Sequence, residues 1–291
     1  IAVKRNSLVI PKMLLKKGDA LKRINNSEYV IEDEITIGGQ DHFYLEGQIS
    51  LVIPDEDNKF TVWSSTQHPT EVQHCVANVL GISQAKVTSK VRRLGGGFGG
   101  KESQASIIAS ITALCSWYFG KPAKLRLTRH DDMLATGKRH DFLSLYKVGF
   151  NSDGRIQGLE VNLLSRAGNV ADLSGPVMTR AMTHIDNCYS LKNVTINGYC
   201  CKTNTVSNTA FRGFGGPQGI ITIETIIDSI ARKLTRPIEE IRNINLYSKN
   251  NGLKTPYGQI VNDSDRYNKV WDRVCEISNL QKIKKNVEEY N

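Results

Sequence analysis

Hydrophobic and polar positions repeat along the chain with two periods, and the switches between them mark out strands and helices. Leu51-Val52-Ile53 and Phe60-Thr61-Val62-Trp63 flank a polar stretch at 54–59 and predict a hairpin. Pro69 suits a first helical turn; Val72, Cys75, Val76, Val79 and Leu80 then share one stripe, which Gly81 closes. A strand at 87–91 runs into Gly95-Gly96-Gly97-Phe98-Gly99-Gly100. The long helix expected from near Lys101 carries Ile107, Ile108, Ile111, Leu114, Cys115 and Tyr118 on one stripe. After an alternating strand at 123–128 and a polar segment at 130–140, strands at 142–150 and 155–164 are joined by Asn151-Ser152-Asp153-Gly154, which predicts an antiparallel pair. A second glycine-rich loop, Arg212-Gly213-Phe214-Gly215-Gly216, leads through Pro217 into a helix with Ile220, Ile223, Ile226, Ile227 and Ile230 inward. Further helices are predicted at 238–246 and 266–277.

This mixture of antiparallel pairs and strand-loop-helix units implies an α+β fold with mixed, largely antiparallel sheets. Residues 1–35 read as one or two strands between polar turns at 17–19 and 25–27, too short to own a core. They are expected to be the tail of an upstream domain and its connector. Residues 36–246 form the main unit, and 247–291 begin a following one. A start at Ile1 with neither signal nor transit character reads as a piece of a longer chain.

Composition narrows the class. Hydrophobic residues make up 40% and charged residues 23% of 291, the profile of a packed protein. The most apolar stretch, 107–119, is interrupted by Ser110, Thr112 and Ser116, so no membrane span is expected. Six cysteines without regular spacing argue against a disulfide framework or a zinc site and for a reducing, cytoplasmic compartment. The net charge of +9 is spread in small groups, which speaks against nucleic acid as a partner.

The candidate chemistry lies in the two glycine loops. An amide-rich loop feeding a helix N-terminus is suited to phosphate or another oxyanion, although a glycine loop also serves simply to turn a tight corner. The run from Gly95 to Lys101 meets the spacing of a phosphate-binding P-loop, but Glu102 stands where a magnesium-binding Ser or Thr is required. A dinucleotide site fails as well, because no acid follows about 20 residues on.

Gly38-Gly39-Gln40-Asp41-His42-Phe43-Tyr44-Leu45-Glu46, Ser65-Thr66-Gln67, 95–102 and 208–219 resemble, in content and order, the molybdenum-binding region of the xanthine dehydrogenase family of molybdenum hydroxylases. The likeness continues through Asp172-Leu173-Ser174, Asp186-Asn187-Cys188-Tyr189 and Lys202-Thr203-Asn204. It implies a molybdenum-molybdopterin cofactor and hydroxylation of hypoxanthine and xanthine to urate, a step of purine catabolism, with oxygen from water. By the same resemblance Gln67 hydrogen-bonds an oxygen ligand of the metal, and Phe98 and Arg212 present their backbones to the centre. Glu102 and Arg180 orient the purine, and Phe214 packs on its ring. Taken as residues alone, Gln67 reads as a turn residue, Glu102 as a first-turn carboxylate, Arg180 as a solvated helix residue and Phe214 as core. None of the six histidines has metal-ligand spacing.

The family's general-base glutamate falls beyond Asn291, so no catalytic base is expected within the chain, and the chain alone is expected to be inactive. FAD, 2Fe-2S clusters and NAD are expected only in the full-length protein, as a homodimer in the cytoplasm or a peroxisome. An aldehyde oxidase-type hydroxylase and a non-catalytic binding module on the same scaffold are the alternatives.

Overall fold

In the computed structural model, which describes residues 2–291, the strands pair into two mixed sheets. In chain order they are β1 (Met13–Lys17), β2 (Tyr29–Ile37), β3 (Ile49–Asp55), β4 (Lys59–Ser64), β5 (Val87–Lys90), β6 (Ala123–Arg126), β7 (Phe142–Phe150), β8 (Ile156–Gly168) and β9 (Val194–Lys202). The larger sheet has the order β1-β9-β8-β7-β2, the smaller β5-β4-β3-β6. Only β4–β5 and β8–β9 run parallel, so the sheets are largely antiparallel and the fold is α+β.

The helices are α1 (Ala20–Asn25), α2 (Pro69–Leu80), α3 (Gln104–Phe119), α4 (Arg129–Ala135), α5 (Ser174–Met182), α6 (Gly216–Leu234), α7 (Ile238–Asn245), α8 (Asp265–Ser278) and α9 (Leu280–Tyr290). The inner positions of β7 and β8, among them Phe142, Tyr146, Leu159, Val161 and Leu163, pack with Met178 of α5 and with Ile223, Ile226, Ile227 and Ile230 of α6. A second cluster joins Val52, Phe60 and Val62 of the smaller sheet to Val72 and Val76 of α2 and to Ala109 and Ala113 of α3.

Two features depart from what the sequence pattern suggests. The stripe of α3 faces outward: Ile107, Ile111, Leu114 and Tyr118 are exposed, and of that set only Ile108 is buried. The buried face is instead Ala105, Ala109, Thr112, Ala113 and Ser116, whose small side chains let the helix lie close on the sheet; Ser116 Oγ donates to the Lys121 carbonyl at 2.9 Å. Residues 1–35, read as belonging with an upstream neighbour, carry β1 and most of β2. These pair with β9 and with all nine residues of β7, so a boundary at 35/36 falls inside a strand. The charged run Glu32-Asp33-Glu34 hides β2 in the sequence, and α1, capped by the Asp19 side chain on Lys22 N, occupies the stretch between the two turns. Of the C-terminal stretch, Tyr247 is buried and donates to Asp186 Oδ2 at 2.7 Å, whereas α8 and α9 bury no side chain.

His140, two residues before β7, is buried with Nε2 2.8 Å from Ser174 Oγ. Burial holds its imidazole at about 4, well below the ordinary 6.5. The unfolded chain therefore binds a proton that the fold refuses between those values, and stability falls as pH drops through that window. Urea unfolding at pH 7 and pH 4.5 should differ by roughly 2 kcal/mol from this group, and His140→Gln should remove that part of the slope.

Candidate functional site

Each glycine loop belongs to a different sheet. The first links β5 to α3, the second follows β9 and opens α6, and the two meet where the layers adjoin: Arg212 N donates to Phe98 O at 2.9 Å. Both loops hold a phenylalanine in the left-handed region, Phe98 at φ 53° and Phe214 at φ 54°. Such a conformation costs a non-glycine residue about 1–2 kcal/mol and persists only where its surroundings impose it. For the first loop they do so through Gln67, whose Oε1 accepts from Gly99 N at 2.8 Å and Lys101 N at 3.3 Å while its own N–H donates to Lys101 O. A Cβ on Gly97 would stand 2.5 Å from that same oxygen, so only glycine lets the amide approach.

The consequence is an array of donors. Gln67 Nε2 and the amides of Gly96, Gly97, Phe98, Gly213 and Gly215 have no acceptor among the described residues. Consecutive amides of this kind form a concavity that binds oxyanions. No group of three metal-ligating side chains occurs among the described residues. The donor set therefore fits an anionic, oxygen-rich group bound through hydrogen bonds, and a metal that arrives with its own ligands.

A buried polar frame supports both loops, and sequence reasoning missed it. Lys101 is 0% exposed; its Nζ donates to Glu46 O at 2.6 Å, to Ser65 Oγ at 2.7 Å and, at 3.4 Å, to Glu46 Oε2, and lies 4.6 Å from the centre of the Tyr44 ring. Burial lowers the Lys101 ammonium despite the carboxylate beside it. Burial of Glu46 works against its charge, yet the Ser65 hydroxyl, the Gly95 amide and Lys101 together hold its carboxyl below the ordinary range. Gln48 Nε2 donates to Gly100 O, and Asp132 accepts from Tyr44 Oη and Gln48 N. On the second loop, His42 Nε2 donates to Ala210 O at 2.6 Å, and burial lowers its pKa, favouring the neutral ring. Arg139 Nη2 donates to Arg212 O at 2.7 Å, and its guanidinium stacks 3.9 Å from the centre of Phe211. The signals were faint: His42 lies inside the first resembling segment, and Arg139 in a stretch that reads as merely polar.

The structure gathers Gln67, Phe98 and Arg212 at the loop junction, the last two touching it through their backbones. Arg180, exposed at the end of α5, and Phe214 line one cavity of about 790 Å³ with Ile10, Lys12, Pro176 and His184. Glu102 is half-buried just after the first loop, forms no side-chain hydrogen bond or ion pair among the described residues, and does not line that cavity.

The profile of the molybdopterin cofactor-binding domain matches residues 4–246. A xanthine dehydrogenase/oxidase of Gallus gallus is 43% identical over 291 residues, 100% of this chain and 21% of the relative. A nicotinate hydroxylase of Emericella nidulans is 40% identical over 271 residues, 93% of this chain and 20% of the relative. The aldehyde oxidoreductase of Desulfovibrio gigas has the same fold, with a TM-score of 0.79 at 23% identity over 92% of this chain and 30% of that one. The chain thus spans about a fifth of the length of these curated relatives.

Proposed function

The chain belongs to the molybdopterin cofactor-binding domain family, and from that premise we propose that it forms the cofactor and substrate half-site of a xanthine dehydrogenase-type hydroxylase acting on hypoxanthine and xanthine. The observation that carries the reading is the Arg212 N to Phe98 O bond, which brings two donor-rich loops and the Gln67 amide to one place. The chemistry a molybdenum-pterin group supplies when bound is hydroxylation of an electron-poor carbon with oxygen taken from water. Gln67 Nε2 would donate to an oxygen ligand of the metal without adding charge, and the free loop amides would hold the group's remaining acceptors. Phe214 would support the flat ring of the substrate. Arg180 would offset negative charge developing on that ring, and Glu102 would accept from its N–H edge. The general base, the FAD and 2Fe-2S groups that carry electrons away, NAD, and the contacts of a homodimer would come from the remainder of a longer enzyme in the cytoplasm. Among the described residues no helix is long and apolar enough to cross a membrane.

The test is kinetic. In the molybdenum-loaded full-length protein, Glu102→Gln and Arg180→Met should each lower kcat/KM for xanthine by roughly 1.5–3 kcal/mol, about 10- to 150-fold, at unchanged molybdenum content. Unchanged purine kinetics in both variants would refute their roles. An aldehyde-oxidising hydroxylase is the second reading, favoured by the absence of Glu102 from the cavity of Arg180 and Phe214. Turnover of aldehydes without purines by the wild type would decide for it, and turnover of neither by the metal-loaded protein for a non-catalytic module.

A further inference from the structure

The cavity shared by Arg180 and Phe214 also has a histidine with no part in the site so far. His184 borders it just after α5, with Nδ1 2.8 Å from the Arg180 carbonyl oxygen. A carbonyl only accepts, so Nδ1 carries the proton and, in the neutral ring, Nε2 is an acceptor. Nε2 has no partner among the described residues. The ring also lies close to the start of α6, where a Cβ added to Gly216 would stand 3.3 Å from its Cδ2.

Among the other side chains of the cavity, the only acceptors are two hydroxyl oxygens. Lys12 and Arg180 only donate, and no carboxylate lines the wall. Thr179 and Thr183 donate their hydroxyl protons to the carbonyls of Gly175 and Arg180, so toward the cavity their oxygens can only accept. His184 Nε2 is therefore the one nitrogen acceptor in a cavity made otherwise of cations, hydroxyls and apolar surface.

We infer that His184 Nε2 accepts a hydrogen bond from a ring N–H of the substrate and so helps select N–H-bearing heterocycles. The inference rests on the functional reading above and narrows it, because an aldehyde has no N–H to give. A site that hydrogen-bonds a substrate N–H discriminates against analogues that lack it.

The experiment compares wild type, His184→Asn and His184→Gln in the molybdenum-loaded full-length protein, with xanthine and a series of N-methylxanthines. Asparagine keeps an amide nitrogen near the Nδ1 position but leaves the Nε2 position empty, whereas glutamine reaches it. His184→Asn should raise KM for xanthine about tenfold with kcat within twofold, and His184→Gln should recover most of that loss. At one ring nitrogen, methylation should penalise the wild type but not His184→Asn. A purine-active wild type whose KM and methyl discrimination are the same in His184→Asn would overturn the role of His184. So would equal losses in both variants together with lost molybdenum, which would make the residue structural. A wild type that hydroxylates no purine is a separate result, and it overturns the functional reading itself.

Discussion

Gly99→Ala is expected to strip the full-length protein of molybdenum while leaving most of its fold standing. Gly99 adopts φ +101°, and an added Cβ would stand 2.7 Å from both the carbonyl carbon and the oxygen of Ala210, and 3.0 Å from Phe211 N. All three neighbours are backbone, so no side chain can swing aside. The loops must part, which breaks the Arg212 N to Phe98 O bond and draws Gly99 N away from Gln67 Oε1. Strain of about 1–2 kcal/mol and two lost hydrogen bonds of about 1 kcal/mol each amount to roughly 3–4 kcal/mol, concentrated where the donors converge. Gly258→Ala is the control, because Gly258 has a similar φ of +95° with nothing within 4 Å. It should cost only the strain and retain the metal. Molybdenum per chain and Tm for both variants check the expectation; full metal content in Gly99→Ala would overturn it.

The difference between these two glycines also shows which parts of the molecule can be read from the sequence. The loops are legible because density of glycine is a backbone requirement that no other residue meets. The hairpin of β7 and β8 and the buried face of α6 are legible because each is a local periodicity closed by a local turn. What joins the loops is different in kind. His42 reaches Ala210 across 168 residues and Arg139 reaches Arg212 across 73, and no spacing rule relates such positions. The orientation of α3 misleads for a related reason. Its outward stripe is the more hydrophobic, yet close approach to a sheet selects small residues, so Ala105, Ala109 and Ala113 prevail over Ile107 and Ile111. Arg180 and Phe214 were legible through resemblance alone, and the cavity that unites them, with His184 on its rim, emerges only when α5 is laid against the start of α6.

Lys101 is where local reading and tertiary structure part most sharply, and it carries the second large expected effect. In the sequence it occupies the place of a phosphate-binding lysine at the end of a glycine run. In the fold its ammonium is enclosed, and its protons go to Glu46 and Ser65, so it cannot reach a ligand of the loop. Its work is to tie the strand end that carries Ser65, and so neighbouring Gln67, to the segment before β3 that carries Glu46. Lys101→Met removes those bonds and leaves the Glu46 carbonyl unsatisfied, while the Ser65 hydroxyl keeps only its bond to Glu46 Oε2. The Glu46 side chain remains 38% exposed, so water screens the ion pair and most of the cost comes from the two short hydrogen bonds. A loss of about 3 kcal/mol is expected, which lowers Tm by roughly 6–12 °C for a domain of this size. Glu46 contributes with the opposite sensitivity: its depressed pKa makes its share of stability complete above the ordinary carboxylate range and lost as pH falls through the lowered value. Adding Glu46→Gln to Lys101→Met should therefore cost less than the sum of the single changes, because the double variant leaves no half-exposed carboxylate without its cation. Thermal unfolding of the two single variants and the double variant measures that coupling. Wild-type stability in Lys101→Met, or strict additivity in the pair, would show that the buried ammonium does not hold the first loop to the strand bearing Gln67.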